Sequence, residues 1–256
     1  MLIEICTNGI NSCLNAQKGG ANRVELCDNL LEGGTTPSFG MIEMVQKHLT
    51  TCSENSAIDV FVMIRPRGGD FYYSDLEFEI MKNNILHCKK IGVAGVVFGL
   101  LNLDGTIDTT RTKMLVELAR PMKVTFHRAF DRCYDLPKGL EKLIDLGIDN
   151  VLTSGGQPKA IDGLPMLEKL VKQADNRIQI MVGSGVNPQN VPHFKNIGIT
   201  NFHFSATEIL DSKMTFRAAS FDKSEQLEIS EFELRTSSSQ KIREMRNRLD
   251  AGKVIG

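Results

Sequence analysis

The sequence predicts an α/β fold: a (β/α)8 TIM barrel, built as a single domain with a C-terminal extension. Three observations lead there. Eight short apolar, β-branched runs recur along the chain, and stretches with helical period lie between most of them. The starts of the runs are spaced by roughly 20 to 37 residues, the length of one βα unit. Eight such units in about 205 residues match the usual size of this barrel. A chain of 256 residues could hold one large domain or two small ones. The run count reduces this to one. A doubly wound sheet is the alternative, but it usually has fewer strands, and no G-x-G-x-x-G follows the first run.

In chain order the runs are Leu2–Cys6, Arg23–Cys27, Asp59–Ile64, Gly95–Gly99, Lys123–His127, Asn150–Thr153, Ile178–Gly183 and Asn201–Ser205. Between the third and fourth, Glu77–Ile91 places Met81, Ile85 and Cys88 on one helical face. Leu140–Gly147 ends in a glycine suited to close a helix just before the sixth run. Leu164–Ala174 repeats the helical pattern, and Asn187-Pro188 has the form of a cap followed by Pro at the first helical position. Residues 1–210 make up the barrel. Residues 211–256 add a long polar loop, including Arg235 to Ser239, and a closing helix over Gln240–Leu249, with Ile242, Met245 and Leu249 on one side.

The runs carry polar residues where a parallel strand buried on both faces would be apolar throughout. Glu4 and Cys6, Glu25 and Cys27, Thr125 and His127, and His203 and Ser205 each share parity, so each pair lies on one face. With Ile3, Ile5, Val24, Leu26, Val124, Phe126, Phe202 and Phe204 turned to the helices, the polar set points into the barrel. Its members end strands, which places most of them toward the C-terminal mouth, where sites in this fold sit.

Glu4, Glu25, His127 and His203 are the catalytic candidates, because carboxylates and imidazoles move protons near neutral pH. Asp131, in the turn beyond His127, could orient it; a structural histidine bonded to a carboxylate is the simpler alternative. His48, His87 and His193 read as solvent-facing. Arg65 and Arg67 follow the third run and suit an anion held by bidentate bonds. Equally, they could pair with Glu4 and Glu25 inside the barrel. Gly155, Gly183, Gly185 and Ser205 lie in turns whose N–H groups can hold phosphate, and the loops after strands 7 and 8 are this fold's usual phosphate site.

Cys6 and Cys27 end the first two runs with matching parity, and adjacent strands lie about 4.8 Å apart, so their sulfurs could meet. Two thiolates suit Cu(I) far better than Mg²⁺ or Ca²⁺; two packed thiols are the plain alternative. Cys88 sits on a core helical face. Cys13 and Cys52 fall in helix or loop contexts, and Cys133 lies in the loop after the fifth run.

Lys plus Arg is 30 against 31 for Asp plus Glu. That balance excludes a nucleic-acid binder driven by counterion release and a polybasic membrane anchor. No run of 18 apolar residues offers a membrane span. Glu4 interrupts the only apolar stretch at the N-terminus, unlike a signal peptide. The cytoplasm is the expected compartment, with its cysteines as free thiols. No organic cofactor is expected, and base rates allow a homodimer without fixing the oligomeric state.

Five motifs, in order, resemble the CutC copper homeostasis family: Asn22-Arg23-Val24-Glu25-Leu26-Cys27, Arg65-Pro66-Arg67-Gly68-Gly69-Asp70-Phe71, the segment from Gly99 through Asp104-Gly105-Thr106-Ile107-Asp108, Thr125-Phe126-His127-Arg128-Ala129-Phe130-Asp131, and Thr153-Ser154-Gly155-Gly156. The resemblance covers about residues 1 to 210. It implies a TIM barrel, a cytoplasmic protein and Cu(I) held at Cys6 and Cys27, and it implies no catalytic residue. The expected function is therefore copper homeostasis through Cu(I) binding. The alternative, drawn from the polar mouth, is an enzyme of unknown reaction acting on a small phosphorylated or carboxylated metabolite.

Overall fold

Eight parallel strands close on themselves in chain order: β1 (Leu2–Thr7), β2 (Arg23–Leu26), β3 (Asp59–Met63), β4 (Gly95–Phe98), β5 (Lys123–Phe126), β6 (Asn150–Thr153), β7 (Gln179–Val182) and β8 (Asn201–Phe204), with β8 pairing back onto β1. The structure is a computed structural model and describes residues 1–50, 57–217 and 230–251, so Cys52 lies outside the described residues. Helices α1 (Ile10–Gly19), α2 (Phe39–Thr50), α3 (Asp75–Ile91), α4 (Thr109–Ala119), α5 (Leu136–Asp145), α6 (Leu164–Ala174) and α7 (Val191–Asn196) alternate with the strands. The (β/α)8 barrel read from the sequence is the fold.

The alternation of each strand explains why it sits there. Ile3, Ile5, Val24, Leu26, Val124, Phe126 and Phe202 face outward and form, with the inner helix faces, the main apolar core. The opposite parity fills the barrel, where Cys27, Phe61, Met63 and Val97 form a second, smaller cluster with Cys6 against it. Strand β4 starts with Gly95, where a Cβ would lie 2.5 Å from the Phe61 ring. The glycine is the space the ring occupies.

The helix ends follow local chemistry. Ser74 and Glu77 form a reciprocal capping box at the start of α3, so this helix begins before the Glu77 expected from periodicity. Asp135 caps α5 by accepting from Lys138 N–H, and Gly147 adopts φ 73° just past its end. Asn187 does not open a helix. Its side chain accepts from the N–H groups of Gln189 and Asn190, closing a turn, and α7 starts only at Val191.

The C-terminal region corrects one expectation. Strands β9 (Thr207–Asp211) and β10 (Glu233–Ser237) pair antiparallel, so Arg235, Thr236 and Ser237 belong to a strand and not to a loop. The ladder is mostly exposed on both faces, so no apolar alternation marked it. Helix α8 (Ser239–Asp250) then packs on α1 and buries Ile242, Met245 and Leu249. At about 1.5–3 kcal/mol per buried side chain, these three hold the extension to the barrel.

Gly95→Ala should lower stability by about 1–3 kcal/mol, since the added methyl must displace Phe61 or the strand. Urea unfolding would show this as a lower midpoint at unchanged slope. An unchanged midpoint would mean that the ring moves freely.

Candidate functional site at the barrel mouth

Register brings the charged inward side chains to one wall. Glu4 stands opposite Arg23 on β2 and opposite His203 on β8, and Cys6 stands opposite Glu25. Glu4 is fully buried and uses both oxygens: Arg23 Nη1 donates to Oε2 (3.2 Å) and His203 Nδ1 donates to Oε1 (2.7 Å). One level higher, the Cys27 thiol donates to Glu25 Oε2 (3.5 Å), and His203 Nε2 lies 3.8 Å from the same oxygen. One donor atom each from Cys6, Glu25 and Cys27 lies within 4.8 Å of the others, and Glu4, Glu25 and His203 form a second such set. Glu25 belongs to both.

Titration in this cluster is set by partners. Burial would raise the Glu4 carboxyl, but His203 and Arg23 outweigh it and hold Glu4 below the usual carboxylate range. Cys6 is drawn down to about 5, first by its hydrogen bond with Cys27, against burial, and then by His203 and Glu25. That same bond, followed by burial, pushes the Cys27 thiol well up. Burial also pushes Glu25 well up; His203 opposes this, and the charges of Cys6 and Glu4 add to it. For His203, burial disfavours the charge, and Glu25, Cys6 and Glu4 together more than reverse that. At neutral pH the cluster therefore holds Arg23 and His203 positive, Glu4 and Cys6 negative, and protons on Glu25 and Cys27. Two charges of each sign balance in the interior.

Cys6 and His203 open onto a cavity of about 980 Å³, lined also by Asn8, Ser184, Gly185, Ser205, Arg235 and Lys241. Gly185 and Ser205 thus sit where the sequence places them, at the mouth beside the thiol. Ser205 accepts a bond from the Thr207 hydroxyl. Gly183 serves packing: its N–H donates to Thr153, and a Cβ there would meet Leu152 at 2.7 Å and His203 at 3.3 Å.

Several expectations are corrected. Neither Arg65 nor Arg67 pairs with Glu4 or Glu25; Arg23 takes that place. Its parity matches that of Glu25 and Cys27, so the alternation that found those two contained it as well. Arg67 is no anion site, because Glu77 (2.6 Å) and Asp70 (2.9 Å) already hold its guanidinium. Gly155 is no phosphate donor either: its N–H goes to Thr153 Oγ1. The turn after β6 does hold an anion, but that anion is Asp131, which accepts from the N–H groups of Ser154 and Gly156 and from the Thr153 hydroxyl. Asp131 is thereby committed and does not orient His127. The His127 ring instead accepts the Ala129 N–H at Nδ1 (3.1 Å). Burial, reinforced by Arg65, pulls His127 down to about 3, so it is neutral. His87 is half-buried and stacks on Phe39 at 3.8 Å. Cys13 packs against the Thr7 hydroxyl (3.2 Å), and Cys133 against the Ala129 carbonyl.

Fold and site together define a (β/α)8-barrel protein with a thiol, imidazole and carboxylate cluster at the C-terminal mouth. The family model described as the CutC family matches residues 1–208. A CutC family protein of Bacteroides fragilis is 44% identical over 244 residues, 95% of each chain. The human copper homeostasis protein cutC homolog is 44% identical over 243 residues, 94% of this chain and 86% of its own. A solved CutC structure from Streptococcus agalactiae superposes with a TM-score of 0.75 at 36% identity, covering 80% of this chain and 98% of that one. The chain belongs to the CutC family. No helix among the described residues is long and apolar enough to cross a membrane.

Alkylation of Cys6 by iodoacetamide should titrate with a midpoint near 5 rather than near the ordinary 9, because only the thiolate reacts. The rate should fall as pH drops through that value. In His203→Gln the midpoint should move upward, since a cationic partner is lost. A parental midpoint near 9 would refute this charge assignment.

Proposed function

We propose that the chain acts in copper homeostasis by holding Cu(I) between Cys6 and Cys27 at the barrel mouth. The observation that carries this reading is the donor set: the two sulfurs and a Glu25 oxygen lie within 4.8 Å of one another, two of the three being soft. Hard cations would ask for more oxygen. Glu25 Oε1 is buried without a partner among the described residues, and metal loading must displace the protons that Glu25 and Cys27 carry, so uptake should release protons. The names of the human and mouse relatives, both copper homeostasis protein cutC homologs, agree with this role. The free cysteines fit a reducing compartment, the cytoplasm.

A second reading is favoured by the cavity, whose 980 Å³ is room for a small organic molecule and far more than an ion needs. Glu4 holds His203 by a hydrogen bond, and His203 in turn favours the Cys6 thiolate, which opens onto that cavity. In an enzyme acting on a small phosphorylated or carboxylated metabolite, Cys6 would be the nucleophile, His203 its proton partner and Glu4 the positioning residue.

Competition with a chromophoric Cu(I) chelator tests the first reading. The double variant Cys6→Ser with Cys27→Ser should lose at least one equivalent; parental binding would refute the assignment. Glu4→Gln separates the readings, since it weakens the hold on His203 and spares both sulfurs. Cu(I) binding should persist while Cys6 alkylation slows.

A further inference from the structure

Beyond the end of β3, the neighbour of β2, the structure holds a buried cation with no counter-ion among the described residues. Arg65 is 4% exposed and makes no ion pair among the described residues. Its guanidinium donates only to backbone carbonyls, those of Glu32 (2.8 Å), Gly34 (2.8 Å) and Gly69 (2.7 Å), and its Nε has no partner. Buried charges are ordinarily paired. The nearby acids of the interior, Glu4 and Glu25, are engaged with Arg23, His203 and the cysteines.

Further buried polar groups on the barrel interior lack partners among the described residues. His127 is 4% exposed, and its Nε2 bonds to nothing. Because Nδ1 accepts the Ala129 N–H, the neutral ring carries its proton on Nε2, which is therefore a donor. Thr125, on the same strand face one layer below His127, has a buried hydroxyl with no partner among the described residues, and the buried Tyr73 hydroxyl lies beside the Arg65 guanidinium. Arg65 and His127 flank one ring: the guanidinium lies 5.1 Å from the Phe71 centroid and the imidazole 5.0 Å from it. Two of these groups can only donate, and two are hydroxyls that can. An unsatisfied set of that kind asks for an acceptor with negative charge.

We propose that Arg65 and His127, with the Thr125 and Tyr73 hydroxyls, form a binding site for a small oxyanion, the carboxylate or phosphate of a metabolite. Arg65 is its counter-ion, and His127 Nε2–H is its neutral donor. The site goes beyond copper binding and holds whether the thiols carry a metal or a reaction. It also gives the anionic group of the second reading's metabolite a place to bind.

Calorimetry and thermal unfolding with inorganic phosphate and with acetate, at constant ionic strength and with chloride as control, test it. The arm that binds names the source. His127→Phe keeps the ring and removes the N–H, and it should weaken that anion by about tenfold, the factor for one charge-assisted hydrogen bond. Arg65→Gln would also free three carbonyls, so His127→Phe and Thr125→Val carry the test. Without anion, Thr125→Val should be at least as stable as the parent, because it removes a buried unsatisfied group, whereas His127→Phe also frees the Ala129 N–H and should be less stable, so its affinity is compared at a temperature where both chains are folded. The proposal is overturned if neither anion binds, if His127→Phe binds as tightly as the parent, or if a crystal grown in phosphate holds only water at Arg65. Cu(I) binding measured on the same samples keeps the two ideas apart: a chain that takes copper and no anion retains the first and loses this one.

Discussion

Glu4 sits at the centre of the molecule with no access to water, shared between Arg23 and His203. An isolated carboxylate in such a place would be protonated or would unfold the strand that carries it. Here β8 and β2 flank β1, and each supplies one cation to one oxygen. The carboxylate therefore ties the strand pair that closes the barrel to the pair that begins it. His203 in turn faces Cys6 and Glu25, so the proton arrangement of the upper layer rests on the ion pair beneath it. Removing Glu4 would leave Arg23 and His203 as two buried like charges, a loss larger than the pair itself contributes.

That dependence explains the division of labour in the barrel. On β8, β1 and β2 the inward side chains are Glu4, Cys6, Arg23, Glu25, Cys27 and His203. On β3 and β4 they are Phe61, Met63 and Val97. A cavity completely lined by charge would be hard to keep folded, and one wholly apolar would have nothing to offer a ligand. The apolar wall excludes water behind the thiols and strengthens the bonds around Cys6. Gly95 and Gly183 belong to this economy of space, because the volumes they leave open hold Phe61 and admit Leu152 and His203.

The barrel was legible because its signal is alternation, and alternation survives in a single sequence. The same parity located Glu4, Cys6, Glu25, Cys27 and His203. Arg23 carries the same parity, but a basic residue at the start of a run has the pattern of a flank. Less legible were interactions that join distant segments. Asp131 claims the turn after β6 across more than twenty residues, and nothing in Thr153-Ser154-Gly155-Gly156 says that its N–H groups are already taken. The hairpin of β9 and β10 escaped notice for a different reason: a ladder wet on both faces has no burial pattern to read. At Asn187 a side chain that could cap a helix closes a turn instead, and composition cannot distinguish the two.

The arginine that the sequence placed near Glu4 and Glu25 shows what specificity costs. Had Arg65 turned to either acid, the interior would have neutralised itself and left no donor unspent. Three carbonyls hold it away: Glu32 and Gly34 from the β2–α2 connection and Gly69 from its own loop. Carbonyl dipoles solvate a guanidinium without cancelling its charge. The positive field persists at His127, where it helps keep the imidazole neutral and its Nε2 proton in place. The interior therefore holds two unlike sets of side chains, one of self-balanced acids, bases and thiols and one of uncompensated donors. A molecule that reached both would meet sulfur and imidazolium in one and anion-seeking donors in the other.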